Sequence, residues 1–336
     1  MLQSLPRSAE AYGRAQRAEI GAATSAVARL WRRMGDEFDA SYAGIEADLL
    51  AVLDTAQQRV AAGALEYVPA VLAETGQRVR PMQYDVAPDF MVGTSGDGLT
   101  TEGLAYGAVT RAKAAVAGGA APAEALASGG RWLSTAVGTL LSDTGRTAEK
   151  VAGHSRRVTT WVRMLEPPSC GRCIILAGKP ARTGQAFLRH PKCDCRNIPA
   201  TESLAGDWTT DPEAYLETLD DEGLRRALGS EANARAWRDG ANTNQLINAY
   251  RRGGDVRTAQ VYGRNVRYTT EGTTRRGHAY YQMRQAGYVQ SQADVRAKGE
   301  RYFSARSPRL MPETIYQVAD NREDAIRLLR LYGWVY

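Results

Sequence analysis

Cys170-Gly-Arg-Cys173-Ile-Ile-Leu176 and His190-Pro-Lys-Cys193-Asp-Cys195-Arg-Asn-Ile-Pro199 together hold every cysteine of the 336-residue chain. Four thiols and one imidazole fall within 26 residues, in two short groups separated by the sixteen residues from Ile174 to Arg189. That is the ligand spacing of a tetrahedral zinc site. It predicts the first pair on a tight turn and the second on a returning strand, with the metal closing the loop. Cys193 and Cys195 stand two apart, so in an extended segment both face the same side. Five donors compete for four positions: Cys170, Cys173, His190, Cys193 and Cys195. An all-thiolate site leaves His190 supporting a ligand, and a three-Cys, one-His site leaves one late cysteine out. Either set fills the shell with protein and leaves no position for water. The expected Zn2+ is therefore structural, and its binding energy stabilises a segment too short for its own core. Two disulfides are the competing use of these thiols. The lack of a signal peptide and of cysteine elsewhere argues against them.

The residues around this segment set the fold class. Val158 to Leu165 is β-branched and aromatic enough for a strand, which leads through Pro167-Pro168 to Cys170. Ile174-Ile-Leu176 is a second short element, and Arg196-Asn-Ile-Pro199 an exit strand. Upstream the pattern is helical. From Arg7 to Val68 there is no proline, and Ile20, Ala23, Val27, Leu30, Met34, Phe38, Ile45, Leu49, Val52, Ala56 and Val60 recur at steps of three and four, with a break flanked by Gly35 and Gly44. The helix continues past Pro69. Thr75 to Gly103 is an irregular connector in which Phe90-Met-Val is the only strand-like piece. Gly103 to Gly153 returns to helix, broken at Gly118-Gly119 and restarted at Pro122. Downstream, a helix pair spans Pro212 to Leu228. Asn321 caps a last helix that Gly333 stops. The fold class is α+β, mostly α. The expected domains are an N-terminal helical arm (1–75), an irregular connector (76–103), a zinc-stapled module (104–205) and a basic, mixed α/β C-terminal domain (206–336).

Hydrophobic residues make up 43% of the chain, enough for packed cores, and no apolar run reaches the ~20 residues a membrane helix needs. Synthesis in a reducing cytoplasm is expected. The net charge of +6 is uneven: from Arg235 to the end there are eighteen Lys and Arg against nine Asp and Glu. One-signed charge at one end points to a polyanionic partner. Between Tyr250 and Arg309 cations alternate with rings, and Arg251, Arg252, Arg264, Arg267, Arg275 and Arg276 are the candidate contacts to nucleic acid or to an acidic protein surface. Arg267 to Arg275 has the composition of a β-hairpin turning at Glu271-Gly272. For catalysis the chain offers little. His278 is the one candidate base, with Ser291, Ser304, Ser307 or a hairpin threonine as nucleophile. No Gly-x-Ser-x-Gly elbow, phosphate loop or zincin motif accompanies them.

Helices leading into a strand, Cys-x-x-Cys and then His-Pro-x-Cys-x-Cys resemble the phage Mu protein F-like minor head proteins, over roughly Leu104 to Pro199. Asp194 stands where that family usually has arginine. Thr269 to Arg276, and Arg309-Leu-Met-Pro-Glu313 through Leu328-Leu-Arg-Leu-Tyr-Gly333, are similar to head-assembly proteins of tailed actinobacterial phages. The resemblance implies a low-copy, non-enzymatic virion protein inside the head, made in the host cytoplasm. It would sit at the portal, with portal, major capsid protein, scaffold and packaged DNA as partners, in head assembly and DNA packaging or delivery. The alternatives are a capsid maturation protease and a zinc-containing nucleic-acid-binding protein.

Overall fold

The computed structural model describes residues 5–182, 195–200, 211–250, 256–261, 263–271, 273, 277–288 and 308–336. These are mostly helical, with two small antiparallel sheets. They divide into two compact units, one from the described parts of 5–166 and 178–200, the other from 167–177 and the described parts of 211–336.

In the first unit α1 (Arg7–Trp31), α2 (Phe38–Ala43), α3 (Glu46–Glu74), α4 (Thr101–Ala117) and α5 (Pro122–Ser155) share one core. The apolar stripe faces inward: Ala23, Val27, Phe38, Ile45, Leu49, Ala56 and Val60 are buried against Leu133, Val137, Leu140 and Leu141 of α5. Residues 5–75 are thus no separate arm, because the stripe on α1 and α3 is covered by α5. Thr100 caps α4, its Oγ1 accepting from the Gly103 N–H at 3.0 Å, and Pro122 opens α5. At the start of α1 the cap comes from far away in sequence. The Glu74 carboxylate, at the end of α3, accepts from the backbone N–H groups of Arg7 (2.7 Å) and Ser8 (2.8 Å) and from the Ser8 hydroxyl (2.6 Å). A carboxylate there meets the orphan donors and the positive end of the helix dipole. These bonds, that from the Ser8 hydroxyl foremost, hold Glu74 below the usual carboxylate pKa.

A buried amide pins the middle of the connector. Gln57, fully buried on α3, donates to the carbonyls of Met91 (3.0 Å) and Thr94 (2.7 Å) and accepts from the Gly93 N–H (3.1 Å). Phe90 to Val92 is consequently a series of turns and not the strand expected, and Phe90 stays exposed. β1 (Thr160–Met164) lies between β2 (Pro180–Arg182) and β3 (Arg196–Ala200), antiparallel to both, with Trp161 opposite Ala181 and Pro199.

The second unit begins with the short helix α6 (Gly171–Leu176). It continues with α7 (Pro212–Glu217), α8 (Asp221–Leu228), α9 (Glu231–Arg238), α10 (Thr243–Asn248), β4 (Val256–Val261), β5 (Arg264–Thr269), α11 (His278–Gln285), β6 (Arg309–Leu310), α12 (Pro312–Val318) and α13 (Arg322–Leu331). Residues 167–177 therefore belong with the C-terminal helices and not with the module expected to end at 205. The reason is local packing: a side chain at Gly171 would run into the Ala227 carbonyl and Ile247, so glycine lets α6 approach α8 and α10 closely. Asn321 caps α13 as expected, accepting from the Asp324 N–H at 2.9 Å. Gly333 ends it at φ +67°, where an added β-carbon would run into the Ala279 backbone, so two constraints require glycine there. The terminal Trp334 is fully buried and donates to the Leu310 carbonyl at 2.8 Å.

Candidate metal centre

Cys170 occupies the N-cap of α6 in an extended conformation, and its carbonyl accepts from the Ile174 N–H at 3.1 Å. Cys173 lies three residues on, one helical turn away, and is buried. The first pair thus starts a helix instead of sitting on a turn, and Ile174-Ile-Leu176 completes that helix because Ile174 and Ile175 are buried in the unit. The helix is tied down by the Ser169 N–H, which donates to the Tyr215 hydroxyl (3.3 Å), and by Arg172, which donates to the Tyr250 carbonyl (3.1 Å). Cys195 is buried immediately before β3. His190 and Cys193 lie outside the described residues. Among the described residues, no three His, Cys, Asp or Glu side chains form a group that would hold a metal ion. The donor chemistry, thiolates with an imidazole, fits zinc.

β3 carries a feature that composition and spacing do not signal. Arg196, 6% exposed, donates to Glu166 (2.8 Å) and to the Gln16 amide oxygen (2.6 Å), and its guanidinium lies 5.7 Å from the Tyr12 ring centroid. Burial works against its charge, but the Glu166 hydrogen bond and the carboxylates of Glu166 and Glu149 win, and its pKa is raised. Tyr12 stacks on Tyr67 at 4.5 Å, and Tyr67 donates to the Asn197 carbonyl at 2.8 Å. Burial foremost, then Glu149, keeps Tyr12 protonated far above the usual phenol range. A buried cation among rings and carboxylates fastens the exit strand to α1, α3 and α5. An isolated arginine in a strand of five residues looks like any solvated one when read from sequence.

Of the six candidate basic contacts, Arg251, Arg252, Arg275 and Arg276 lie outside the described residues. Arg264 is exposed on β5. Arg267 is held by Glu313 at 2.9 Å, and the same carboxylate oxygen accepts from Tyr250 at 3.1 Å. Burial and Glu313 push the Tyr250 phenol up to about 12. Arg267 is thus ion-paired within the unit, with its side chain 40% exposed. β4 and β5 turn between Val261 and Arg264, with Gly263 at φ +75°; of the hairpin expected at Glu271-Gly272, Gly272 and residues 274–276 lie outside the described residues. Thr269 closes β5 between Val256 and Arg309, which ends the pairing before Glu271 is reached. His278 packs edge-on to Tyr336 at 4.3 Å, with Gln282 Nε2 at 3.4 Å from its Nε2. Ser291, Ser304 and Ser307 lie outside the described residues.

Among the described residues of the second unit, Arg309 is a charge with none of its surface exposed. It donates to the carbonyls of Tyr332 (2.7 Å), Gly333 (2.9 Å) and Glu271 (3.2 Å) and to the Gln245 amide oxygen (3.0 Å), and lies 3.5 Å from the Trp334 ring. Burial pushes its pKa down to about 9, which leaves it charged at neutral pH. No helix among the described residues is long and apolar enough to cross a membrane. No protein-family model, curated protein or solved structure matches this chain.

Proposed function

We propose that this chain is a phage Mu F-like minor head protein, associated with the portal inside the head, with a structural zinc ion in the segment Cys170–Cys195. It acts in head assembly and in DNA packaging or delivery, and its partners are portal, capsid or scaffold protein. The observation that carries this reading is the Cys-x-x-Cys and His-Pro-x-Cys-x-Cys pair set into a helical protein. The order of elements supports it: long helices, β1, the helix bearing Cys170 and Cys173, then β2 and a return along β3. When bound, zinc would supply folding energy and no chemistry of reaction. Four of Cys170, Cys173, His190, Cys193 and Cys195 would hold it as thiolates and neutral imidazole.

Imaging of purified virions with symmetry released at the portal vertex tests the proposal. Density for a few copies at that vertex is the expected result, and absence of the chain from virions overturns it. A maturation protease would lose capsid or scaffold cleavage on His278→Ala, whereas a head protein of the kind proposed retains it.

A further inference from the structure

β4 and β5 form a two-stranded ribbon exposed on both faces on either side of its turn, since Arg257, Thr258, Gln260, Val261, Arg264 and Asn265 are all exposed. Only its base joins β6, through Tyr268 and Thr269. From Val256 to Thr269 there are three arginines and no acidic residue. The register sorts the side chains. Thr258 lies opposite Arg267 and Gln260 opposite Asn265, so one face is polar beyond the Val256–Thr269 pair at its base. On the other face Val261 lies opposite Arg264 and Arg257 opposite Tyr268, which puts one unanchored arginine on each strand, about 14 Å apart along the ribbon. Arg267 is the exception, neutralised by Glu313.

We infer that this ribbon docks in the major groove of duplex DNA, its Thr258, Gln260 and Asn265 face toward the base edges and Arg257 and Arg264 reaching phosphates on the two walls. The B-form major groove, about 12 Å wide, admits a two-stranded ribbon, and amide side chains pair with its base edges. The major groove of duplex RNA is too deep and narrow for it. Between Val256 and Thr269 the ribbon carries no carboxylate of its own, and its two unpaired arginines are complementary to phosphate. Gln260 Nε2 already donates to Asn265 Oδ1 at 2.5 Å, which holds both amides side by side at the tip. The inference goes beyond the head-protein reading, because it concerns binding by the purified chain. Virion localisation can succeed where DNA binding fails, and the reverse.

The test is fluorescence anisotropy of the full chain with duplex DNA and, separately, duplex RNA, at salt from about 50 to 200 mM. Tighter binding to DNA is expected. Each phosphate that goes unneutralised takes about 0.9 off the salt slope, so Arg257→Ala with Arg264→Ala should lower it by about 1.8. Over that salt range the double variant would lose about 12-fold less affinity than the parent. Arg257→Lys with Arg264→Lys should restore the slope. Gln260→Ala with Asn265→Ala should weaken binding several-fold at unchanged slope. No salt-dependent DNA binding, a slope indifferent to the two arginines, equal affinity for RNA, or an affinity indifferent to the two amides would each overturn the inference.

Discussion

Replacing Arg309 by alanine should unfold the second unit's C-terminal end. The side chain is a fully buried cation held by four neutral oxygens and the Trp334 ring. A hydrogen bond from a charged donor contributes about 1.5–3 kcal/mol net of ordinary desolvation, so four give roughly 6–12 kcal/mol before the extra cost of burying this guanidinium completely is subtracted. That cost is several kcal/mol, and it shows in the depressed pKa of about 9. Truncation recovers the dehydration cost but leaves four oxygens without their donor, and the expected loss is about 3–5 kcal/mol. Urea unfolding followed by tryptophan fluorescence and circular dichroism measures it. At a slope near 2 kcal/mol/M the midpoint should fall by about 2 M. Arg309→Lys keeps the charge but not the planar fork, and should recover about half the loss. A loss below about 1 kcal/mol for Arg309→Ala would refute the argument, because the four bonds would then contribute nothing net.

Chelation of the reduced protein should lower its melting temperature and release zinc, read by elemental analysis; an unchanged melting curve would remove the structural role proposed for the Cys170–Cys195 segment. Glu74 has its pKa depressed in the folded state below its ordinary 4.5, so its cap stabilises α1 above about pH 4.5 and that stability is lost as pH falls through the folded value. Glu74→Gln should remove this part of the acid limb in a stability-versus-pH titration, and an unaltered acid limb would count against the cap. Gly145→Ala drives a methyl into the Gln16 amide, 3.0 Å from the Tyr12 hydroxyl, and should cost about 1–3 kcal/mol. Gly21→Ala has open space and should gain about 0.5–1 kcal/mol from helix propensity. Thermal melts of the two variants that shift in the same direction would contradict this packing account.

Much of the architecture is legible in the sequence because it rests on local periodicity and local chemistry. The stripe from Ile20 to Val60, the restart at Pro122, the strands around Trp161 and Ile198, the Asn321 cap and the Gly333 stop each depend on a few neighbouring residues. Where pairing depends on distant partners, composition misleads. Phe90-Met-Val has strand composition, but Gln57 claims the carbonyls of Met91 and Thr94 and turns the chain. At the start of the threonine-rich run, Tyr268 and Thr269 end a strand whose partners come from Val256–Val261 and from Arg309–Leu310, one of them some forty residues away.

Residue types and spacing determined the helical majority, the two short strands flanking the cysteine segment, the candidate donors and the excess of cations toward the end of the chain. Tertiary structure alone decided that residues 5–75 share a core with α5, that Cys170 and Cys173 open a helix, that Arg196 and Arg309 are interior, and that Arg267 pairs with Glu313. The physical reason is range. Helix period, caps and turns act over three or four residues, whereas burial of a charge is decided by oxygens and rings brought together from positions tens of residues apart, as Gln245, Glu271 and Trp334 are around Arg309.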